Sequence, residues 1–187
     1  MSCWARDREN ANAALLVGVG TGDFGSDAPL AGMEFQRRLE AAAFSAGGGD
    51  YRAPAQTVGD FLAGDRPVHM PGRVQPGYRG GEHFRLARMG DVLPDFACRN
   101  LARGLRAFDR KRPGYAMPEA ILSAAETRTS APVRILRGED FCAIGQPGLY
   151  PCGEGAGYAG GIMSAAMDGL RIAMKIQEKK KEESNHA

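Results

Sequence analysis

Gly155, Gly157 and Gly160 spell G-x-G-x-x-G inside the stretch GLYPCGEGAGYAGGIMSAAMDGLRIAMKI, residues 148–176. Glycine lets a backbone turn with positive φ and approach a flat or anionic group without a side chain in the way. A short apolar run precedes the glycines and a helix-like pattern follows them. The loop therefore opens onto a helix N-terminus, whose unpaired N–H groups and partial positive charge suit a polar ring carrying negative charge. Glu154 stands at the expected strand's C-terminal end, where open α/β sheets place their ligands.

The position of the loop argues against the simplest use of this pattern. A first βαβ nucleotide site needs a helix, a second strand and an acid for the ribose about 20 residues on. Here the helix consumes what remains of the chain. Glu178 stands at about the right distance but sits in the charged tail QEKKKEESNHA. A glycine-rich turn that merely lets the last helix pack close is the competing structural explanation.

The elements that must position this loop can be read from pattern. AALLVGVG (Ala13–Gly20) reads as a strand. PLAGMEFQRRLEAAAFSAG reads as a helix with Leu30, Met33, Leu39, Ala43 and Phe44 as its apolar stripe, stopped by Gly47 to Gly49. RAPAQTVGDFLAG reads as a short extended piece and a helical turn, and Asp65–Gly81 as proline- and glycine-rich loop. A second clear helix runs from about Pro94 to Lys111, with Phe96, Leu101, Leu105 and Phe108 on one face. Ile121–Leu136 reads as two strands or one bent strand, broken near Ala131 by Pro132. Gly148–Glu154 is the expected last strand. The last helix is expected from Gly161 to about Lys179, with Ile162, Ala165, Ala166, Gly169, Leu170, Ala173 and Ile176 packed on a sheet.

Composition narrows the classes. Of the 187 residues 43% are apolar and 25% charged, which is ordinary for a globular domain, and the 26 glycines call for many tight turns. A net charge of +2 offers no bulk attraction for nucleic acid. No apolar run reaches the roughly 18 residues that span a bilayer, so no membrane role is expected. The N-terminus lacks the pattern of a secretory signal. Cys3, Cys98, Cys142 and Cys152 are scattered and read as reduced thiols of a cytoplasmic protein. His69, His83 and His186 are too far apart in sequence to suggest a metal site.

GLYPCGEGAGYAGGIMSAAMDGLRIA resembles the C-terminal flavin-contacting segment of the two-dinucleotide-binding-domain flavoproteins. The upstream pieces ARDRENANAALLV, LAGMEFQRRLEAAAFSAGGGDYRAPAQTVGDFL, LPDF, AFDRKRPGY and ETRTSAPVRILR resemble consecutive parts of bacterial FAD-dependent dehydrogenases, relatives of the NAD(P)/FAD-dependent oxidoreductases. The resemblance extends to about Lys175. Such proteins are much longer and carry their own G-x-G-x-x-G near the N-terminus. The resemblance therefore implies the C-terminal portion of such a protein, α/β in the whole and mixed α+β as a fragment. Residues 1–120 would be an inserted substrate-side domain. Residues 121–187 would close the Rossmann-like FAD domain with its last strand and helix.

The resemblance also implies roles for single residues. Gly153, Gly155, Gly157, Gly160 and Gly161 would let the backbone approach the isoalloxazine of FAD, and Glu154 would bond the ribityl chain or its neighbourhood. Ile162 would begin the helix that faces the flavin pyrimidine edge. Tyr158 would cover the flavin or line the substrate side, or simply pack in its loop. Alternation would bring Arg128, Ser130 and Arg134 to one side, where an arginine could clamp a carboxylate substrate bidentately; paired charges on a surface strand are the alternative.

Three functions follow from this. The first is a segment of an FAD-dependent oxidoreductase acting on a small organic substrate, with NAD(P) as a possible redox partner. The second, a flavoprotein that modifies transfer RNA, ends in a similar loop and helix but is disfavoured by the near-neutral charge. The third is a non-catalytic fragment that binds no FAD alone and needs an N-terminal FAD-binding portion as partner.

Overall fold

The computed structural model describes Ala5, residues 10–64, Val74, residues 83–128 and residues 130–185. The chain divides into two compact units: Met1–Asp23 with Arg37–Glu126, and Phe24–Gln36 with Thr127–Ala187. Helix α1 (Ala31–Ala46) starts in the second and continues in the first. The fold is mixed α+β, with four α-helices and one three-stranded sheet among the described residues.

In the first unit β1 (Ala53–Thr57) is the central strand. It leads into α2 (Val58–Ala63), which Thr57 caps by accepting the Asp60 N–H at 3.1 Å. Gly64 then closes α2 in the left-handed conformation that favours glycine. Strand β2 (Phe84–Leu86) pairs with β1 in parallel, Ala55 opposite Leu86. Helix α3 (Asp95–Lys111) starts on Pro94, with an acid in its first turn and Arg110 and Lys111 in its last, as the helix dipole favours. Strand β3 (Ile121–Ser123) pairs with β1 antiparallel, Gln56 opposite Leu122. Pro54 has no N–H for this ladder, and its carbonyl accepts from Ala124, just past the end of β3.

Ala55, Val58, Met89, Val92, Ala97 and Leu105 form the core of this unit. A polar pin sits among them. Gln56 is buried, and its Oε1 accepts the Met89 N–H at 2.9 Å, tying the sheet to the 3-10 turn Met89–Asp91.

Among the described residues the second unit has one long helix, α4 (Ile162–Asn185), the start of α1, and irregular backbone over residues 127–128 and 130–161. The start of α1 packs directly on this backbone. A Cβ on Gly32 would lie 2.8 Å from the Pro132 carbonyl oxygen, so only glycine fits there. Phe24 and Phe35 meet with ring centroids 5.9 Å apart and planes tilted by 44°, and Gln36 donates to the Thr127 carbonyl at 2.7 Å.

Several expectations need correction. Residues 13–20 form no strand, and Leu16 and Val19 are exposed; an apolar run without a neighbouring strand has no ladder to join. Among the described residues of Ile121–Leu136 only Ile121–Ser123 is strand, because β1 ends its pairing there. Gly148–Glu154 is irregular rather than a strand. Its polar groups are met by turn backbone and by side chains instead of a ladder: the Leu149 carbonyl accepts the Ala143 N–H, Arg137 donates to the Pro151 carbonyl and Asp168 accepts the Gly153 N–H. On α1 the expected stripe residues Leu30 and Phe44 are exposed, and Phe35 is buried instead. On α4 the inward face is Ala165, Asp168, Gly169, Ile172 and Ile176, rotated from the expected one. Cys3, His69, Thr129, His186 and nearly all of the expected loop Asp65–Gly81 lie outside the described residues.

Candidate functional site: the glycine loop and the pair beneath it

Residues 153–161 form a turn-rich loop that delivers the chain to α4. Two hydrogen bonds close it: Gly157 N–H to the Glu154 carbonyl at 2.9 Å and Tyr158 N–H to the Gly153 carbonyl at 3.0 Å. Gly153 and Gly157 have φ of 71° and 84°, the left-handed region where glycine carries little penalty.

The glycines of the G-x-G-x-x-G pattern are not equivalent. Gly157 faces inward. A Cβ there would lie 2.5 Å from the Val133 carbonyl oxygen and 3.0 Å from Arg134 Cα. Gly155 and Gly160 face outward, with no atom within 4 Å of where a Cβ would stand. Gly161 is nearly as open, its first neighbour being Ser164 Oγ at 3.8 Å. The N-terminal turn of α4 is exposed at Ile162, Met163 and Ser164. Glu154 is half-buried at the same mouth, and no described residue bonds to its carboxylate.

The underside of the loop holds two residues that pattern reading missed. Arg137 and Asp168 form a bidentate ion pair, Nη2 to Oδ1 at 2.7 Å and Nη1 to Oδ2 at 3.0 Å, with both side chains about one-tenth exposed. Arg137 Nη1 also donates to the Pro151 carbonyl at 2.8 Å, and Asp168 Oδ2 accepts the Gly153 N–H at 2.9 Å. The guanidinium lies 3.6 Å from the Tyr158 ring centroid and 4.9 Å from that of Phe141. The hydrogen bond from Arg137 holds the Asp168 carboxyl below the usual carboxylate range against the opposing effect of burial, and the Gly153 N–H adds to it. One sequence signal could have found Asp168. It is a lone acid spaced three and four residues from Ala165 and Ile172 on an otherwise apolar face.

The remaining sequence candidates divide. Tyr158 is half-buried, and its hydroxyl donates to the Ile135 carbonyl at 3.0 Å. Arg134 Nε donates to the Gly157 carbonyl at 2.9 Å, so this arginine braces the loop. Arg128 and Ser130 are exposed on backbone that is not strand, so alternation does not align them with Arg134.

Elsewhere, the first unit has a cleft of about 450 Å³ lined by Ala42, Ser45, Arg85, Leu86, Arg88 and Asp91, among others. That lining brings no nucleophile–base pair together. Among the described residues no group of three or more His, Cys, Asp or Glu side chains has the arrangement of a metal site. No helix among them is long and apolar enough to cross a membrane.

Comparison with known proteins adds two findings. The chain is 51% identical over 179 residues, 96% of its length, to an uncharacterized protein of Clostridium beijerinckii. The match covers 33% of that relative, so this chain spans about a third of the relative's length. The family described as FAD-dependent protein, C-terminal domain-like, matches residues 1–129. A family match over most of the chain settles membership: this protein belongs to the FAD-dependent protein C-terminal domain-like family, as the C-terminal portion of an FAD-dependent protein.

Proposed function

We propose that this chain is the C-terminal segment of an FAD-dependent oxidoreductase, and that it contributes the flavin-ring loop and the substrate side of the active site. The observation that carries the reading is the outward face of the loop. Gly155 and Gly160 border open space, beside the exposed first turn of α4 and the uncommitted Glu154 carboxylate. A flat ring can meet such a backbone edge-on, and side chains would block it. The family match, over residues 1–129, supports FAD as the source of that ring.

In this reading residues 1–120 are the substrate-side domain and residues 121–187 the closing part of the FAD domain. Gly155, Gly160 and Gly161 give the ring its room, and the N–H groups of the first turn beginning at Ile162 face its pyrimidine edge. Gly153 and Gly157 shape the loop from inside. Glu154 accepts a hydrogen bond from the ribityl chain. FAD, when bound, supplies the electron-transfer chemistry, and the protein supplies position and field. A helix N-terminus stabilises negative charge on the ring by roughly 0.3–2 kcal/mol. Tyr158, Arg128 and Ser130 stand on the substrate side, where a small organic acid would suit the arginine. No residue of this chain is assigned to NAD(P).

A second reading has its own observation. Ile162 is 90% exposed and Met163 74%, with Met167, Leu170 and Met174 continuing the same apolar face of α4. Leu149 is exposed as well. A face of this kind is expected of a piece that needs an N-terminal partner and binds no FAD alone.

Flavin absorbance tests both readings. It is measured on the 187-residue chain alone, and with the remainder of the Clostridium relative expressed separately. Uptake by the chain alone overturns the second reading, whereas uptake only on mixing supports a flavin role for the loop together with the need for a partner. No uptake in either sample rejects a flavin role for the loop. In the reassembled protein Gly160→Leu should abolish uptake while the fold persists, since the space at Gly160 is open. Glu154→Gln should cost only about 0.5–1.5 kcal/mol of affinity, one ordinary hydrogen bond.

A further inference from the structure

We infer that Arg137 and Asp168 are positioning residues for the cofactor loop: their buried ion pair sets the height and tilt of residues 151–158 on α4, and flavin affinity depends on it. The inference rests on the flavin reading above and deepens it. It begins from the convergence of four segments on one guanidinium. Arg137 holds the Pro151 carbonyl before the loop, Asp168 on α4 after it, and lies against the rings of Tyr158 within it and Phe141 beside it. Asp168 then reaches back to the Gly153 N–H, the first amide of the loop.

The local backbone is strained in favour of this arrangement. Phe141 has φ of 60°, uncommon for a residue with a bulky side chain, and its ring packs on Arg137. Such an outlier persists only where the surroundings over-determine it. The chemistry of the pair is also more specific than stability alone requires. A buried ion pair can usually be replaced by apolar groups of similar volume at little cost. Apolar groups could fill the space under the loop, but they could not accept the Gly153 N–H or fix the Pro151 carbonyl. Lysine in place of Arg137 keeps the charge and loses the two-pronged fork.

The test uses amide exchange by nuclear magnetic resonance on the 187-residue chain, and FAD titration of the chain reassembled with the remainder of the relative. Three variants serve: Arg137→Lys, the double variant Arg137→Met with Asp168→Leu, and Asp168→Asn. The last keeps an acceptor for Gly153 and guards against a fold failure in the others. In Arg137→Lys and the double variant, the Gly153, Gly157 and Tyr158 amides should exchange at least about tenfold faster, with α3 amides unchanged. FAD affinity should fall by at least about tenfold, or about 1.4 kcal/mol. Asp168→Asn should fall between these and wild type. A double variant as protected and as tight for FAD as wild type overturns the inference, because it shows that filling the space suffices. Faster exchange with unchanged FAD affinity overturns it too, leaving the pair a structural clamp. Wild-type protein that takes up no FAD overturns the flavin reading and the cofactor role of the pair with it. Unchanged loop amides overturn the latch even where FAD binds.

Discussion

The two units are held together by different means. In the first, the most deeply buried large side chains are Met89, Leu105, Gln56 and Val58, gathered around a three-stranded sheet. In the second, the centre is an ion pair, and Ile135, Leu136, Ile144, Leu149 and much of α4 are exposed apolar groups. An apolar core is non-directional and tolerates shape-conserving change. A polar centre fixes backbone direction, because each hydrogen bond has a geometry. The first arrangement suits a scaffold. The second suits a loop whose backbone must be held in one direction.

Leu105→Ala should be the largest blow to this contrast. Leu105 is 2% exposed on α3, and large-to-small core changes cost about 2–5 kcal/mol. Urea unfolding followed by circular dichroism would measure it. A loss below about 1 kcal/mol would mean that the first unit has no tight core there.

Gly157→Ala should come next, at about 1–3 kcal/mol, since it combines a positive φ with a collision against the Val133 carbonyl. Gly155→Ala should leave stability almost unchanged, because its surroundings are open. Equal losses at both sites would erase the distinction between the inward and outward faces of the loop.

Acid should loosen the second unit by a smaller step. Asp168 has its carboxyl lowered below the ordinary 3.8 by Arg137. Its contribution is therefore fully present above the unfolded value and is lost as pH falls through the folded one. Loop amides should lose protection only below about pH 4, and Asp168→Asn should remove that acid step. A step that persists in Asp168→Asn would assign it to another carboxylate.

The smallest effect is expected on the outer face of α4. Met167→Lys should change the stability of the isolated chain by less than about 0.5 kcal/mol, as surface changes do. On the proposed function, it should nevertheless weaken association with the remainder of the Clostridium relative, seen by size-exclusion chromatography. A large loss in the isolated chain would show that this face is packed within it.

Much of the first unit was legible in the sequence. Pro94 and Lys111 bound α3 as expected, and the short extended piece before a helical turn is β1 with α2. These are local features, decided by proline, capping and helical periodicity. The second unit was less legible. Gly148–Glu154 looked like a strand by apolar content, yet strand formation depends on a partner, and turn backbone and side chains took that place.

By itself the sequence determined that a glycine loop precedes a long helix, that the chain resembles the end of a flavoprotein, and where α1, α3 and α4 lie. The loop and the helices follow from short-range spacing and from residue types with special backbone freedom, and the flavoprotein reading from resemblance alone. Only the tertiary structure decided which glycine is structural, which face of α4 turns inward, and that Arg137 finds Asp168. The two residues are 31 positions apart. No local pattern joins them, because a buried pair is selected by where folding brings two charges out of water together, and that depends on every element between them.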